Sequence, residues 1–205
     1  FTDLRWQTRR LAELGKPAAI VLFFATDECP LVQRYLPRVG SLAAEWAKAS
    51  VVTVVVNVSA GDEFVDAVGT VTTKAPAAVF ARDFELRLAA ACGVDRTAAA
   101  VVLDGEGRLV YRGRVDDQYG YGGNRATPAN EELRAAVEAV LAGRAVATAE
   151  TPISGCRITR ASPPKLATVP TYAGDVATIV QRHCVRCHRR GGEGPLQLLE
   201  EAPVK

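Results

Sequence analysis

The chain has 205 residues, 48% of them hydrophobic and 23% charged, which excludes wholesale disorder and allows one full domain plus a remainder. A net charge of +2 without any basic block gives no support to a nucleic-acid surface, and no apolar run approaches the ~18 residues of a membrane span. Five cysteines are too few for a disulfide-built scaffold, only two histidines are present (His183 and His188), and methionine is absent even at position 1, as expected of a removed leader or an internal start.

Residues 1–17 predict a short helix closed by Gly15. The apolar run 18–25 and the run 51–58 read as strands buried on both faces, separated by a helix over 31–49. A short helix over 62–71, a strand over 77–80 after Pro76 and a helix over 83–91 follow. The runs 98–103 and 108–112 flank Asp104-Gly-Glu-Gly107, a hairpin signal. A Gly-rich loop spans 119–125. Thr127-Pro128 then predicts a helix start as cap and first residue, with Gly143 ending it. Long apolar strands separated by helices imply parallel crossovers, and the hairpin adds antiparallel strands at one side. The expected fold is α/β: a thioredoxin-like mixed sheet flanked by helices over 1–147.

Residues 148–170 are rich in Pro, Thr and Ser and predict a linker wrapped on the domain, since Ile153 and Ile158 flank Cys156. Residues 171–205 form the last segment. A helix is expected there over 175–188, with Val176, Ile179, Val180, Cys184 and Cys187 sharing one face.

Two groups of residues carry chemistry. In Cys184-Val-Arg-Cys187-His188, two cysteines three apart at a helix end can reach the two vinyl groups of one haem, and the adjacent histidine can face its iron. A zinc site or a disulfide is the alternative, but the adjacent pairs His183-Cys184 and Cys187-His188 cannot all converge on a tetrahedral ion. The expectation is one covalent haem c, with Cys184 and Cys187 as thioether anchors and His188 as the proximal iron ligand. No methionine is available for the distal position. An open sixth site, a chain continuing beyond position 205, and a partner protein or larger complex that supplies the ligand all remain.

The second group is Thr26-Asp-Glu-Cys29-Pro30, which places a cysteine just past a buried strand at the start of a helix. Backbone N–H groups and the helix dipole favour a thiolate there, with Thr26 placed to support the sulfur and Asp27 and Glu28 opposing it. A buried, inert cysteine is the plain alternative. Cys156 is a candidate resolving or bridging thiol, and Cys92 reads as a small core residue. Asp116-Asp117 reads as a solvated ion-pair face, and Tyr119-Gly-Tyr-Gly-Gly-Asn124 as a flexible loop.

The stretches Thr26-Asp-Glu-Cys-Pro-Leu-Val-Gln-Arg-Tyr35, Val102-Leu-Asp-Gly-Glu-Gly-Arg108, Tyr111-Arg-Gly-Arg-Val-Asp-Asp-Gln-Tyr119, Leu141-Ala-Gly-Arg144 and Gly155-Cys-Arg-Ile158 resemble the redoxin branch of the alkyl hydroperoxide reductase/thiol-specific antioxidant family. The stretches Thr171-Tyr-Ala-Gly-Asp-Val-Ala and His183-Cys-Val-Arg-Cys-His-Arg189 resemble the haem-attachment segment that follows this domain in redoxin proteins of bacterial cell envelopes. The resemblance implies a periplasmic or envelope location, a continuation that carries a distal methionine, and electron transfer between a haem and a thiol or peroxide site. Thiol peroxidase activity at Cys29 and a non-catalytic subunit of a larger assembly are the alternatives. The sequence departs from the family where a threonine precedes a cis-proline opposite the cysteine. Here Thr97 is followed by Ala98, which implies an altered groove for a substrate thiol.

Overall fold

A computed structural model of the chain describes residues 1–120, 123–159, 170–185, 187–189 and 198. Two compact units divide it, Phe1–Ala161 and Ser162–Lys205.

The first unit is built on five strands: β1 (Ala19–Ala25), β2 (Val51–Asn57), β3 (Val79–Arg82), β4 (Ala99–Asp104) and β5 (Leu109–Gly113). They are ordered β3-β2-β1-β4-β5, with β1 at the centre, parallel to β2 and antiparallel to β4. All seven residues of β1 are buried, as an apolar run covered on both faces requires. The fold is the expected thioredoxin-like mixed sheet.

One face packs against α1 (Pro30–Trp46), α2 (Phe64–Lys74) and α4 (Glu132–Leu141) through Val32, Leu36, Val39, Ala67, Val71, Leu133 and Val137. The other face is covered by α3 (Arg87–Ala91), by Leu11 and Leu14 near the N-terminus, and by Ile153 and Ile158. Two short strands, β6 (Tyr119–Gly120) and β7 (Gly123–Asn124), pair with each other.

Three sequence expectations are corrected. Residues 1–17 are not a helix beyond the single tight turn Leu11–Leu14. The Asp3 carboxylate accepts the N–H groups of Arg5 (2.8 Å) and Gln7 (3.0 Å), and Thr2 exchanges two backbone bonds with Arg82, extending the sheet beyond β3. Thr127-Pro128 does not start α4, which begins at Glu132. The Asp117 carboxylate captures the N–H groups of Ala129 (2.7 Å) and Asn130 (3.1 Å) and holds that stretch as a loop.

Asp116-Asp117 is not a solvated face either. Asp116 is buried and accepts from the Tyr35 hydroxyl (2.7 Å) and the Gln118 N–H (2.8 Å), with Arg38 paired to its other oxygen. Burial, then the Asp116 carboxylate, pushes the Tyr35 phenol well above its usual range. Asp116→Ala is therefore expected to cost about 3 kcal/mol, because it removes the buried carboxylate that a buried hydroxyl and a half-buried guanidinium share, leaving Tyr35 only Asp116 O (3.0 Å) and Arg38 only Gln118 Oε1 (3.0 Å) and the longer pair to Glu131. A lowered urea midpoint at unchanged slope is the measurement that checks it.

In the second unit Tyr172–Val176, Ala177–Ile179 and Val180–Cys184 follow one another as a helix that starts three residues before the expected 175. Its end turns are wide, with Val176 N–H reaching Thr171 O (3.2 Å) and Val185 N–H reaching Val180 O (3.0 Å), five residues back in each case. Thr171 caps it, accepting the Gly174 N–H at 3.1 Å. None of its residues is buried. The expectations placed on Tyr121, on residues 160–169 of the linker and on Arg186 lie outside the described residues.

Candidate functional site

Cys29 is the N-cap of α1, directly after the central strand, and Pro30 supplies the first helical position. It is buried, at 1% exposure. Because β4 is the antiparallel neighbour of β1, the residues entering β4 lie beside the chain leaving β1, and Ala98 N–H donates to Phe24 O at 2.8 Å. Thr97 is thereby set against the cysteine, and its hydroxyl donates to Cys29 Sγ at 3.1 Å.

The third partner arrives from the other end of the unit. Residues 149–158 lie along the sheet edge, with Glu150 bridged to Arg112 and Arg157 to Arg96. Cys156 N–H donates to Thr97 Oγ1 (3.0 Å), and Thr97 N–H donates to Cys156 O (2.8 Å). The Cys156 thiol lies close enough to influence the ionisation of Cys29, and neither cysteine is in a disulfide. Thr26 lines the same cavity, but its link to Cys29 is a backbone one (Cys29 N–H to Thr26 O, 3.5 Å), and the hydroxyl on the sulfur is that of Thr97.

Burial works against ionising Cys29. The Thr97 hydroxyl, the backbone N–H groups of Cys156 and Val32, and the Cys156 thiol outweigh it, and the net shift of Cys29 is downward. Cys156 shifts upward, because its hydrogen bond to Cys29 favours keeping its own proton. Cys92, buried in the opposite core as expected, is pushed up to about 11 by burial and by the Asp83 charge. Asp27 also carries a raised carboxyl pKa, through burial and the nearby Asp62, which weakens the opposition expected of it.

A cavity of about 380 Å³ opens beside the pair, with Thr26, Glu28 and the 58–61 loop among its walls. Buried Arg82 holds that loop through Ser59 O (3.0 Å) and Asp62 O (2.6 Å). Thr97 is the residue sequence reasoning placed opposite the cysteine without assigning it a role. Thr97→Val keeps the shape and removes the hydroxyl, so the Cys29 pKa is expected to rise toward that of an unsupported buried thiol. The pH dependence of Cys29 alkylation measures this, and Thr97→Ser is expected to restore the lower value.

In the second unit Cys184 ends the helix half-buried, Cys187 is exposed, and neither is in a disulfide. The N–H groups of Cys187 (3.2 Å) and His188 (2.9 Å) both donate to Cys184 O, so one tight turn gathers the three residues. Among the described residues no group of three or more Cys, His, Asp or Glu is arranged to hold a metal ion. Tyr172, Val176 and Ile179, four and three residues apart, leave an apolar stripe exposed on the helix before that turn. No helix among the described residues is long and apolar enough to cross a membrane.

The redoxin family model matches residues 5–127. No curated protein matches the sequence. Solved structures that resemble the fold include a hypothetical protein from Sinorhizobium meliloti 1021, 29% identical over 79% of this chain and 90% of that one, with a TM-score of 0.68. An uncharacterized conserved protein from Geobacillus kaustophilus is 25% identical over 80% of this chain and 88% of its own, with a TM-score of 0.67. A thioredoxin-like protein from Aeropyrum pernix shares the fold at 14% identity, covering 67% of this chain and 86% of its own, with a TM-score of 0.54.

Proposed function

The chain belongs to the redoxin family, and from that premise we propose that it is a thiol-based redox protein in which Cys29 is the reacting sulfur and Cys156 resolves it. The observation that carries this reading is the Thr97 hydroxyl set between the two cysteines, donating to Cys29 Sγ (3.1 Å) and accepting the Cys156 N–H (3.0 Å), with the Cys29 pKa shifted down and that of Cys156 up. The Cys29 thiolate attacks one peroxide oxygen. An S–O bond forms, the O–O bond breaks, and the other oxygen leaves as water or an alcohol after taking a proton. Cys156 then attacks the sulfenic sulfur, the S–S bond forms and water leaves. Two thiols have lost two electrons and the peroxide has gained them. An external dithiol returns the disulfide to the starting pair.

The test is alkylation of the full chain against pH, read at each cysteine by mass. Cys29 is expected to titrate below about 8.5, the value of a free thiol, and Cys92 well above it. The sign follows from the shift: a lowered pKa leaves more thiolate at neutral pH, and the rate falls about tenfold per pH unit once below it. A Cys29 value above that of a free thiol, with no sulfenate after peroxide, overturns this reading in favour of a redox-silent scaffold.

A second reading concerns residues 171–205, and the turn after the exposed stripe favours it. Cys184 and Cys187 would hold one haem c covalently and His188 would supply this chain's iron ligand. When bound, the haem supplies one-electron transfer. The chain's own part is to anchor it and to offer Tyr172, Val176 and Ile179 as apolar cover. Attachment of this kind takes place outside the cytoplasm, and on that basis we place the protein in the periplasm or cell envelope.

A further inference from the structure

The resolving thiol does not have to come from a segment that pairs with the approach to β4, yet here it does. The residues leading into β4 use their backbone groups on residues 155–158. Thr97 N–H donates to Cys156 O (2.8 Å) and Ile158 N–H donates to Asp95 O (2.8 Å), on either side of the antiparallel bridge between Arg96 and Arg157. Arg96 adds a bond from its guanidinium to Gly155 O (3.0 Å). Ile153 and Ile158 anchor the segment on the core cluster below it.

The fit is close enough to demand a glycine. A Cβ on Gly155 would stand 1.7 Å from the Thr97 carbonyl oxygen, which is backbone and cannot yield. Ala98 keeps Thr97 in register from a left-handed conformation, φ +55°, at a cost of about 1 kcal/mol for a residue with a Cβ. An extended polypeptide that brings a disulfide to a buried thiol docks by pairing with free strand-edge groups. Beside Cys29, residues 95–97 have already turned theirs to residues 156–158. What stays open beside Cys29 is the cavity of about 380 Å³.

Resting on the redox reading of Cys29, we propose that the site is selective for small oxidants, because residues 155–158 sit as a resident peptide where a protein substrate would dock. Gly155 and Ile158 set that selectivity. Hydroperoxides of a few heavy atoms reach the sulfur through the cavity with the segment seated, whereas a protein disulfide reaches it only when the segment lifts.

The experiment uses the full chain carrying Cys156→Ser, so that the segment is retained and Cys29 reports alone. Peptide mass mapping follows Cys29 alkylation by iodoacetamide and by a maleimide carried on a protein-sized polymer, and dimedone traps the sulfenate formed with hydrogen peroxide. Gly155→Val and Ile158→Asp are each introduced in the same background. The polymer-to-iodoacetamide rate ratio is expected to rise about tenfold or more in both variants, as local opening ceases to be required, while the peroxide-to-iodoacetamide ratio holds. An unchanged polymer ratio in variants that keep native circular dichroism overturns the selectivity. A raised polymer ratio with no sulfenate in any chain overturns the redox reading and leaves the steric gate standing.

Discussion

Cys29→Ser is expected to lower peroxide consumption by the reduced chain at least about a thousandfold, to the slow background of the remaining thiols. A serine hydroxyl in the same place has the Thr97 hydroxyl and the helix N-terminus beside it, but it does not ionise near neutral pH. Cys156→Ser is expected to behave differently. The first oxidation persists because Cys29 keeps Thr97 and the backbone N–H groups, the sulfenate accumulates for lack of a resolving thiol, and multiple turnover stops. Peroxide loss followed in time, with dimedone labelling resolved by mass, separates the two. Equal loss of the first step in both variants would mean that Cys29 depends on the Cys156 thiol for its ionisation.

The same thiol shows how far the sequence carries. The two long apolar runs led to β1 and β2 because strands buried on both faces leave no other periodicity, and the hairpin over 99–113 followed from its turn residues. Cys29 at a helix start was legible for the same local reason. Its hydroxyl partner was not, since choosing Thr97 over Thr26 requires knowing that β4 lies beside β1. The pairing of Cys156 with Thr97 spans 59 residues, and the local sign that brought its segment onto the domain was the pair Ile153 and Ile158 flanking the cysteine, which says nothing of the partner. Asp116 was misread for a related reason. Its partner Tyr35 lies 81 residues away, so an acid that completes a buried network looks in the sequence like one that meets solvent.

Maturation in a host able to attach haem is expected to give a chain heavier by one haem, with a pyridine haemochrome spectrum of the two-thioether type. Replacing both Cys184 and Cys187 by alanine is expected to remove the covalent increment entirely, and replacing one is expected to leave a single-thioether spectrum. His188→Ala is expected to keep the covalent bonds where attachment still occurs and to alter the iron's absorption bands, because anchoring and axial ligation fall on different residues of one turn. The helix before that turn supplies a second, independent readout. Tyr172, Val176 and Ile179 are 64%, 39% and 58% exposed, and covering one such side chain is worth roughly 1.5–3 kcal/mol when complete. The matured chain is therefore expected to protect the backbone amides of this helix from hydrogen exchange more strongly than the unmatured one. Ile179→Ser is expected to reduce that protection without freeing the haem, since the thioether bonds do not depend on the stripe. A matured preparation with no added mass, in which Cys184 and Cys187 both alkylate freely, would sink the haem reading while leaving the Cys29–Cys156 chemistry untouched.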